Sequence, residues 1–535
     1  MTEEPAKPAK AAKPAKAAAK PAATKARAAK STTAGPKAAA KAPARKPAAQ
    51  AVPPEPLAHR GDVLSVASEC APLIKTGGLA DVVGALPGAM APLGWRLRTL
   101  IPAYRGLAQK LENPVEVWSS PDLYGGEGRV LAGTVDGLDL LLLDAPHLFD
   151  RAGGPYHDEA GADWADNPRR FAALSWVASK IALDGLSDGW IPTVLHAHDW
   201  QAGFAPIWVH GAVPSAITIH NIAFQGIAPA AAIEELRLPH SWFNPGGFEY
   251  WGQISALKAG LVAADAVTTV SPTYAQELTT PAFGFGLEGV IRGRAGALSG
   301  ILNGVDTAVW NPATDPLIAA NYSAEDLSGK AVDAAALREE FGLDPDGGPL
   351  CIVVSRLTRQ KGLDLLLAAL PALIAGGGQL AVLGTGENDL QDGFLRAAAS
   401  HPGRVGVRIG YDEALSHRMF AGADVVLVPS RFEPSGLTQM YGLAYGTLPL
   451  VARTGGLADS VIDANLAAER VGVANGFQFA PVTAEELVRA IRKMCALYAQ
   501  PDIWQRMIQS AMSHPVGWDA SAREYAALYD RLSGR

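Results

Sequence analysis

The chain has 535 residues, enough for two large domains or three smaller ones, and its 48% hydrophobic content can fill sizeable cores. The formal charge of −7 is unevenly spread: residues 1–50 carry 12 Lys/Arg against 2 Asp/Glu, so a tail at +10 precedes a body at −17. An acidic body argues against a general nucleic-acid surface. Three widely spaced cysteines, Cys70, Cys351 and Cys495, argue against a disulfide framework or a zinc site and fit a reducing cytoplasm.

Residues 1–58 alternate Ala, Lys and Pro and are predicted to form a solvated, disordered extension. The prolines interrupt any helix, and almost no large apolar side chain is present to build a core. The sharper reading of this tail is an electrostatic tether to a polyanion. It holds no apolar signal core, and no run of about 18 apolar residues in the chain predicts a membrane span.

Order is expected from residue 62. Short buried strands are predicted at 63–67, 99–101, 194–197, 216–219, 267–270 and 301–302. Helices are predicted at 79–90, 169–183 and 253–264. The pattern restarts at Leu350, with strands at 351–355, 380–383, 405–409, 425–428 and 448–452 and helices at 363–374, 389–400 and 413–421. Alternation of this kind predicts parallel sheets covered on both faces. The expected organisation is a first Rossmann-like domain over 59–310, a linker over 311–348, a second such domain over 349–512, and a closing helix within 513–535. Two doubly wound domains predict a ligand cleft at the carboxyl ends of their strands.

Four stretches at such strand ends carry candidate chemistry. Lys75-Thr76-Gly77-Gly78-Leu79-Ala80-Asp81 opens the first helix. Its glycines let backbone approach a ligand, and Lys75 adds a mobile cation, which suits a diphosphate or a plain structural turn. His196-Ala197-His198-Asp199-Trp200 ends a strand, where two histidines could hold a metal, contact a substrate or be satisfied inside the fold. No third ligand completes a metal site, and substrate hydrogen bonding is preferred. His220-Asn221 ends the next strand, followed by Phe224 and Gln225.

In the second series, Ser355-Arg356-Leu357-Thr358-Arg359-Gln360-Lys361-Gly362 can converge Arg356 and Lys361 on one anion. Glu433-Pro434-Ser435-Gly436-Leu437-Thr438-Gln439 offers a carboxylate for a sugar and backbone amides for a phosphate. Gly384-Thr385-Gly386-Glu387 and Gly410-Tyr411 could line a nucleotide pocket, with Tyr411 stacking on a base, or equally be plain turns. Asp344-Pro345-Asp346 has the look of a short acidic metal pattern, but lies in the expected linker and reads as a turn.

Taken in order, these stretches resemble the bacterial glycogen and plant starch synthase family. The resemblance runs from Asp62 to Leu532 and includes residues 75–87, 146–150, 196–200, 220–226, 258–261, 270–274, 300–312, 355–363 and 433–449. It implies the GT-B architecture, two Rossmann-like domains facing across a cleft. It implies retaining transfer of glucose from ADP-glucose to the non-reducing-end 4-hydroxyl of an α-1,4-glucan such as glycogen, with no cofactor and no metal. Carried over residue by residue, His198, Arg356, Lys361 and Glu433 would be catalytic. Lys75, Gly77, Gly78, Asp81, Asn221, Gln225, Tyr411, Ser435, Gly436, Leu437 and Thr438 would bind substrate. Ser435 stands where several relatives carry Cys. Tyr441 stands eight residues after Glu433, where many other retaining enzymes of this architecture place a second glutamate. The alternatives are a related transferase using UDP-glucose or a small acceptor, and a catalytically silent glucan-binding scaffold.

Overall fold

The computed structural model describes residues 58–535; the tail expected over residues 1–58 lies, apart from Ala58, outside them. Short β-branched and leucine-rich runs form the strands. In the first lobe these are β1 (Gly61–Val66), β2 (Trp95–Pro102), β3 (Glu112–Ser120), β4 (Gly128–Val135), β5 (Leu138–Asp144), β6 (Val194–His198), β7 (Ser215–Ile219), β8 (Ile227–Pro229), β9 (Glu249–Tyr250), β10 (Gln253–Ser255), β11 (Ala266–Thr269) and β12 (Leu298–Gly300). Nine of them make one sheet in the order β12-β11-β7-β6-β1-β2-β5-β4-β3. It is parallel except for the antiparallel pairs β3–β4 and β4–β5. The central strand β1 places Val63 opposite Leu97 of β2 and Val194 of β6. A separate small antiparallel sheet runs β8-β10-β9.

The second lobe holds β13 (Leu350–Val354), β14 (Gln379–Gly384), β15 (Val405–Ile409), β16 (Val425–Val428), β17 (Leu448–Ala452) and β18 (Phe477–Phe479). They form one parallel sheet in the order β15-β14-β13-β16-β17-β18. Side chains alternate between the two faces of each strand. Leu64 and Val66 therefore enter one core cluster of the first lobe while Val63 enters another. Cys351 and Val353 are likewise separated from Leu350 and Ile352. Both faces of each sheet are covered, which is why these strands read as unbroken apolar runs. The two-lobed GT-B architecture is present.

Four local differences from the sequence reading have physical causes. Residues 253–255 pair in the small sheet, and the helix is shorter, Ala256–Ala263, with the Ser255 hydroxyl accepting from the Lys258 amide. The strand expected at 301–302 is Leu298–Gly300 instead; Ile301 adds one further bond to the Thr269 carbonyl. The β3–β5 meander was not expected, because β3 is mostly exposed and its apolar period is weak. Helix Ser328–Phe341 lies within the stretch read as linker, and the few residues it buries include Lys330 and Asp333.

The chain crosses between lobes twice. Near the first crossing the Val305 amide donates to the Val516 carbonyl at 2.9 Å, so outgoing and returning segments run side by side. The last helix, Asp519–Leu532, then buries Ala522, Tyr525, Ala526 and Tyr529 against Val63, Val82, Leu86 and Trp95 of the first lobe.

Candidate active site

The helix Gly78–Met90 follows β1 after a tight loop and starts at Gly77, which has no side-chain cap. A Cβ on Gly77 or Gly78 would meet nothing within 4 Å. The space in front of this helix end is open, and both glycines are exposed. Lys75 Nζ lies 2.8 Å from Asp81 Oδ1. Below them the buried Glu69 accepts from the Thr76 hydroxyl at 2.6 Å and also from the Thr76 amide and the Tyr156 hydroxyl, which fixes the loop from inside. Burial raises the Asp81 carboxyl, with Lys75 opposing.

The histidines end β6 and β7. His196 Nδ1 meets the Tyr529 hydroxyl at 2.8 Å, and its Nε2 meets Thr218 Oγ1 at 2.6 Å. His198 Nε2 meets Ser65 Oγ at 3.3 Å, and its Nδ1 meets His220 Nε2 at 3.0 Å. Both ring nitrogens of both residues are thus committed inside the lobe, and both side chains are 0% exposed. His198, expected to touch substrate, has no free nitrogen and no open face in this arrangement. His220 is the group at the margin. It is 9% exposed, and its Nδ1 has no partner among the described residues yet is not sealed off. Burial drives the pKa of His220 down to about 3 and that of His198 well below its ordinary value, so both rings are neutral.

Asp199, which follows β6, was quoted in the motif but not assigned a role. It adopts φ +54°, a region non-glycine residues rarely occupy. Its Oδ1 accepts from the His220 amide at 2.7 Å and the Asn221 amide at 3.3 Å, so it shapes the end of β7. Burial pushes its pKa up to about 7, those two amides opposing. The Asn221 side-chain oxygen accepts from the Ala223 amide at 3.1 Å. Gln225 is held differently from the expectation of a free substrate contact: its Nε2 donates to the Phe285 carbonyl at 2.9 Å, while its Oε1 is buried without a partner.

In the second lobe two strand-end loops are locked together. Gly362 has φ +67°, and a Cβ there would stand 1.9 Å from the Pro429 carbonyl oxygen. The Arg431 amide donates to the Gln360 carbonyl at 2.8 Å. This close approach brings Lys361 Nζ to 2.5 Å from Glu433 Oε2, across 72 residues of sequence. The Ser430 hydroxyl holds the same carboxylate oxygen at 2.8 Å. Lys361 and Glu433 side chains are 18% and 10% exposed. Arg359 is tied to Asp389, Glu387 and Asp364. Arg356 is exposed, and its guanidinium meets no partner among the described residues. Three cations therefore stand on this loop, Lys361 and Arg359 pre-paired and Arg356 free.

Ser435 is buried with an unpartnered hydroxyl. Gly436 has φ +70°, and a Cβ there would meet Gln439 Oε1 at 2.4 Å. Leu437 precedes the helix Thr438–Ala444, which Thr438 opens. Tyr411 is 76% exposed, with its hydroxyl 2.9 Å from Glu413; burial of that hydroxyl and this carboxylate push its pKa up to about 12. Asp344 to Asp346 form a turn.

The two halves face each other. Asp81 of the first lobe acts electrostatically on Tyr411 and Tyr441 of the second, and Glu413 acts on Asp81. Beside the Glu433–Thr438 loop, hydrogen bonds tie the two lobes together. The Ser271 hydroxyl donates to the Pro434 carbonyl at 2.6 Å, the Thr273 hydroxyl and amide bind Asp459 at 2.6 and 2.8 Å, and Glu277 accepts from Thr454 and from the Gly455 amide. Among the described residues no helix is long and apolar enough to cross a membrane.

Comparison with known proteins gives this geometry a family. The starch synthase catalytic domain family matches residues 62–293, and the glycosyl transferases group 1 family matches residues 337–511. A glycogen synthase of Cereibacter sphaeroides is 60% identical over 477 residues, 88% of this chain and 99% of that protein. Those of Paracoccus denitrificans and Rhizobium rhizogenes are 58% and 51% identical, each over 88% of this chain and 99% of theirs. Among solved structures, the catalytic domain of starch synthase IV from Arabidopsis thaliana, bound to ADP and acarbose, superposes with a TM-score of 0.80 at 32% identity, over 89% of this chain and 100% of that one. The match of relatives over nearly their full length, on a two-lobed fold with paired basic and acidic strand-end loops, means that the chain belongs to the glycogen and starch synthase family of glycosyltransferases.

Proposed function

We propose that this chain transfers glucose from ADP-glucose to the non-reducing-end 4-hydroxyl of an α-1,4-glucan, with retention, releasing ADP. The observation that carries the reading is the Lys361–Glu433 pair beside an unpaired Arg356, facing the open Lys75–Gly78 loop. The starch synthase at 32% identity that was solved with ADP and acarbose supports the choice of donor base and of glucan.

In this reading Arg356 and Lys361 stabilise the departing diphosphate, where negative charge grows as the bond to the sugar breaks. Glu433 holds the glucosyl ring once phosphate oxygens draw Lys361 toward themselves. Ser435, Gly436, Leu437 and Thr438 border the sugar–diphosphate, Tyr411 stacks on the base, and Lys75, with Gly77, Gly78 and Asp81, closes on the phosphates. His220 takes the sugar contact first assigned to His198. Asn221 lies beside it, and Gln225 acts from behind by holding Phe285. The bond from the sugar C1 to the phosphate oxygen breaks as the acceptor oxygen bonds to C1 on the same face. The acceptor proton passes to the phosphate oxygen. Residues 59–310 form the acceptor-side lobe and 349–512 the nucleotide-sugar lobe, joined through 311–348, with 513–535 returning to the first. A cytoplasmic setting fits three free cysteines, two of them buried.

The test is release of ADP from ADP-glucose with and without glycogen, beside UDP-glucose. Glycogen-dependent ADP release with chain lengthening is expected, and absence of elongation with an active donor preparation would sink the proposal.

A further inference from the structure

Trp310 lies on the segment that leaves the first lobe, and its indole is clasped between two rings of the second. One face stacks on Tyr441, with centroids 3.8 Å apart and planes 17° apart. The other stacks on His417 at 3.9 Å and 16°. His417 is itself fixed: its Nδ1 lies 2.7 Å from Asp315 Oδ2, both side chains are at most 2% exposed, and the Tyr445 hydroxyl donates to the same oxygen. The result is a pillar, Asp315–His417–Trp310–Tyr441, whose inner end is anchored on the buried Asp315 carboxylate.

Its outer end is not. The Tyr441 hydroxyl has no partner among the described residues, yet it is not sealed from solvent. A tyrosine clamped over one whole face, with its hydroxyl left to the cleft, is an unusual use of a phenol; buried hydroxyls ordinarily find partners. Its surroundings are those of the candidate site. Asp81 across the cleft and Glu413 and Tyr411 beside it lie near enough to act on it. The helix that carries it, Thr438–Ala444, follows the Glu433–Leu437 loop directly. His417 sits on helix Glu413–Gly422, whose first residue binds Tyr411. The pillar therefore sets the spacing of the two helices whose starts carry the base-side and sugar-side groups. Burial first, and then the neighbouring carboxylates, keep the phenol protonated, so it is a donor at neutral pH.

We infer that Tyr441 is a nucleotide-contact residue whose hydroxyl donates a hydrogen bond to an oxygen of the bound nucleoside diphosphate, with Trp310 as its positioning residue. This rests on the reading of the cleft as a nucleotide-sugar site. A neutral donor also suits an anionic ligand in a way a carboxylate at the same place would not, because it adds no repulsion to the phosphates.

Tyr441→Phe removes the hydroxyl and keeps the stacked ring. In the full-length protein, ADP affinity by calorimetry and the ADP-glucose KM are expected to weaken by about tenfold or more, the loss of one charge-assisted hydrogen bond. Glycogen KM and Tm should stay unchanged. Trp310→Leu, which leaves the hydroxyl but removes its support, should weaken the same donor-side quantities, and Trp310→Phe should restore most of them. Repeating the titrations with AMP and adenosine locates the oxygen. An equal loss for adenosine places it on the ribose, and a loss only with ADP places it on the phosphates. A Tyr441→Phe protein that binds ADP within twofold of wild type overturns the inference alone. A wild-type protein that binds no ADP overturns both the inference and the reading beneath it.

Discussion

A histidine with both ring nitrogens bonded inside a lobe has nothing left to offer a substrate. That separates His198 from His220, although they stand together, Nδ1 to Nε2 at 3.0 Å. His198 also bonds Ser65 and buttresses its neighbour; His220 keeps Nδ1 without a partner among the described residues. His220→Ala is therefore expected to lower kcat by roughly 10- to 100-fold, the range of one hydrogen bond to a substrate, with little change in Tm. His198→Ala is expected to lower Tm and to affect kcat only through its neighbour. Steady-state rates beside thermal melts separate the two, and a His220→Ala enzyme at the wild-type rate would return the role to His198. The sequence could not make this distinction. Both histidines end buried parallel strands, and side-chain orientation at a strand end depends on the register with β1 and β7, which no local pattern encodes. Lys361 and Glu433 were legible as chemistry because each follows a strand in a loop that does not serve the core. Their pairing was not legible, since 72 residues separate them.

Loops at the ends of β13 and β16 become one site through backbone fit. Gly362 is where they touch, with the Pro429 carbonyl occupying the space a side chain would need. Gly362→Ala has two costs. The left-handed conformation alone disfavours alanine by roughly 1–2 kcal/mol, and a Cβ 1.9 Å from a carbonyl oxygen must push the loops apart. The adjacent Lys361 would then leave Glu433. A fall in Tm together with a raised donor KM is expected, and a variant with normal donor KM would show that the two loops are not coupled. Parallel strands could be read because burial on both faces makes them continuous apolar runs; β15, β16 and β17 begin and end where the pattern does. The β3–β5 meander escaped because β3 exposes most of its residues. Helix Ser328–Phe341 escaped because it buries Lys330 and Asp333 where an apolar stripe would be expected. The Lys330 ammonium is satisfied instead by the carbonyls of Ala421 and Tyr445 and by Thr447, contacts made only in the folded lobe.

At the scale of the whole molecule, the last helix closes on the first sheet through a buried histidine, His196, bonded to the Tyr529 hydroxyl. With His198 and His220 it forms a group of three neutral imidazoles, so stability must depend on pH. Burial lowers His196 and His220 to about 3 and His198 well below its ordinary value of 6.5. Unfolding restores all three to near 6.5, so between pH 6.5 and about 3 the unfolded chain binds protons that the folded chain refuses. The stability from these residues is present above pH 6.5 and is lost as pH falls. Asp199 acts in the opposite sense. Its pKa rises from 3.8 to about 7, so its contribution is greatest in acid and is lost as pH rises through 7. Among these four groups alone, three histidines against one aspartate give an uptake of roughly two protons on unfolding near pH 5, a contribution to the slope on the order of 3 kcal/mol per pH unit. Burial also raises the carboxyls of Asp81, Glu277, Asp333, Asp424 and Glu524, which work against the histidines in acid, so the histidine contribution over pH 4.5–6 is read by setting wild type beside a histidine variant. In denaturant unfolding across this range, His196→Asn should lose less stability with acid than wild type, by a slope of about one proton, while loosening the last helix. Equal pH slopes in the two proteins would mean that His196 is not held neutral in the folded state, and that the first lobe does not depend on it to seat its C-terminal helix.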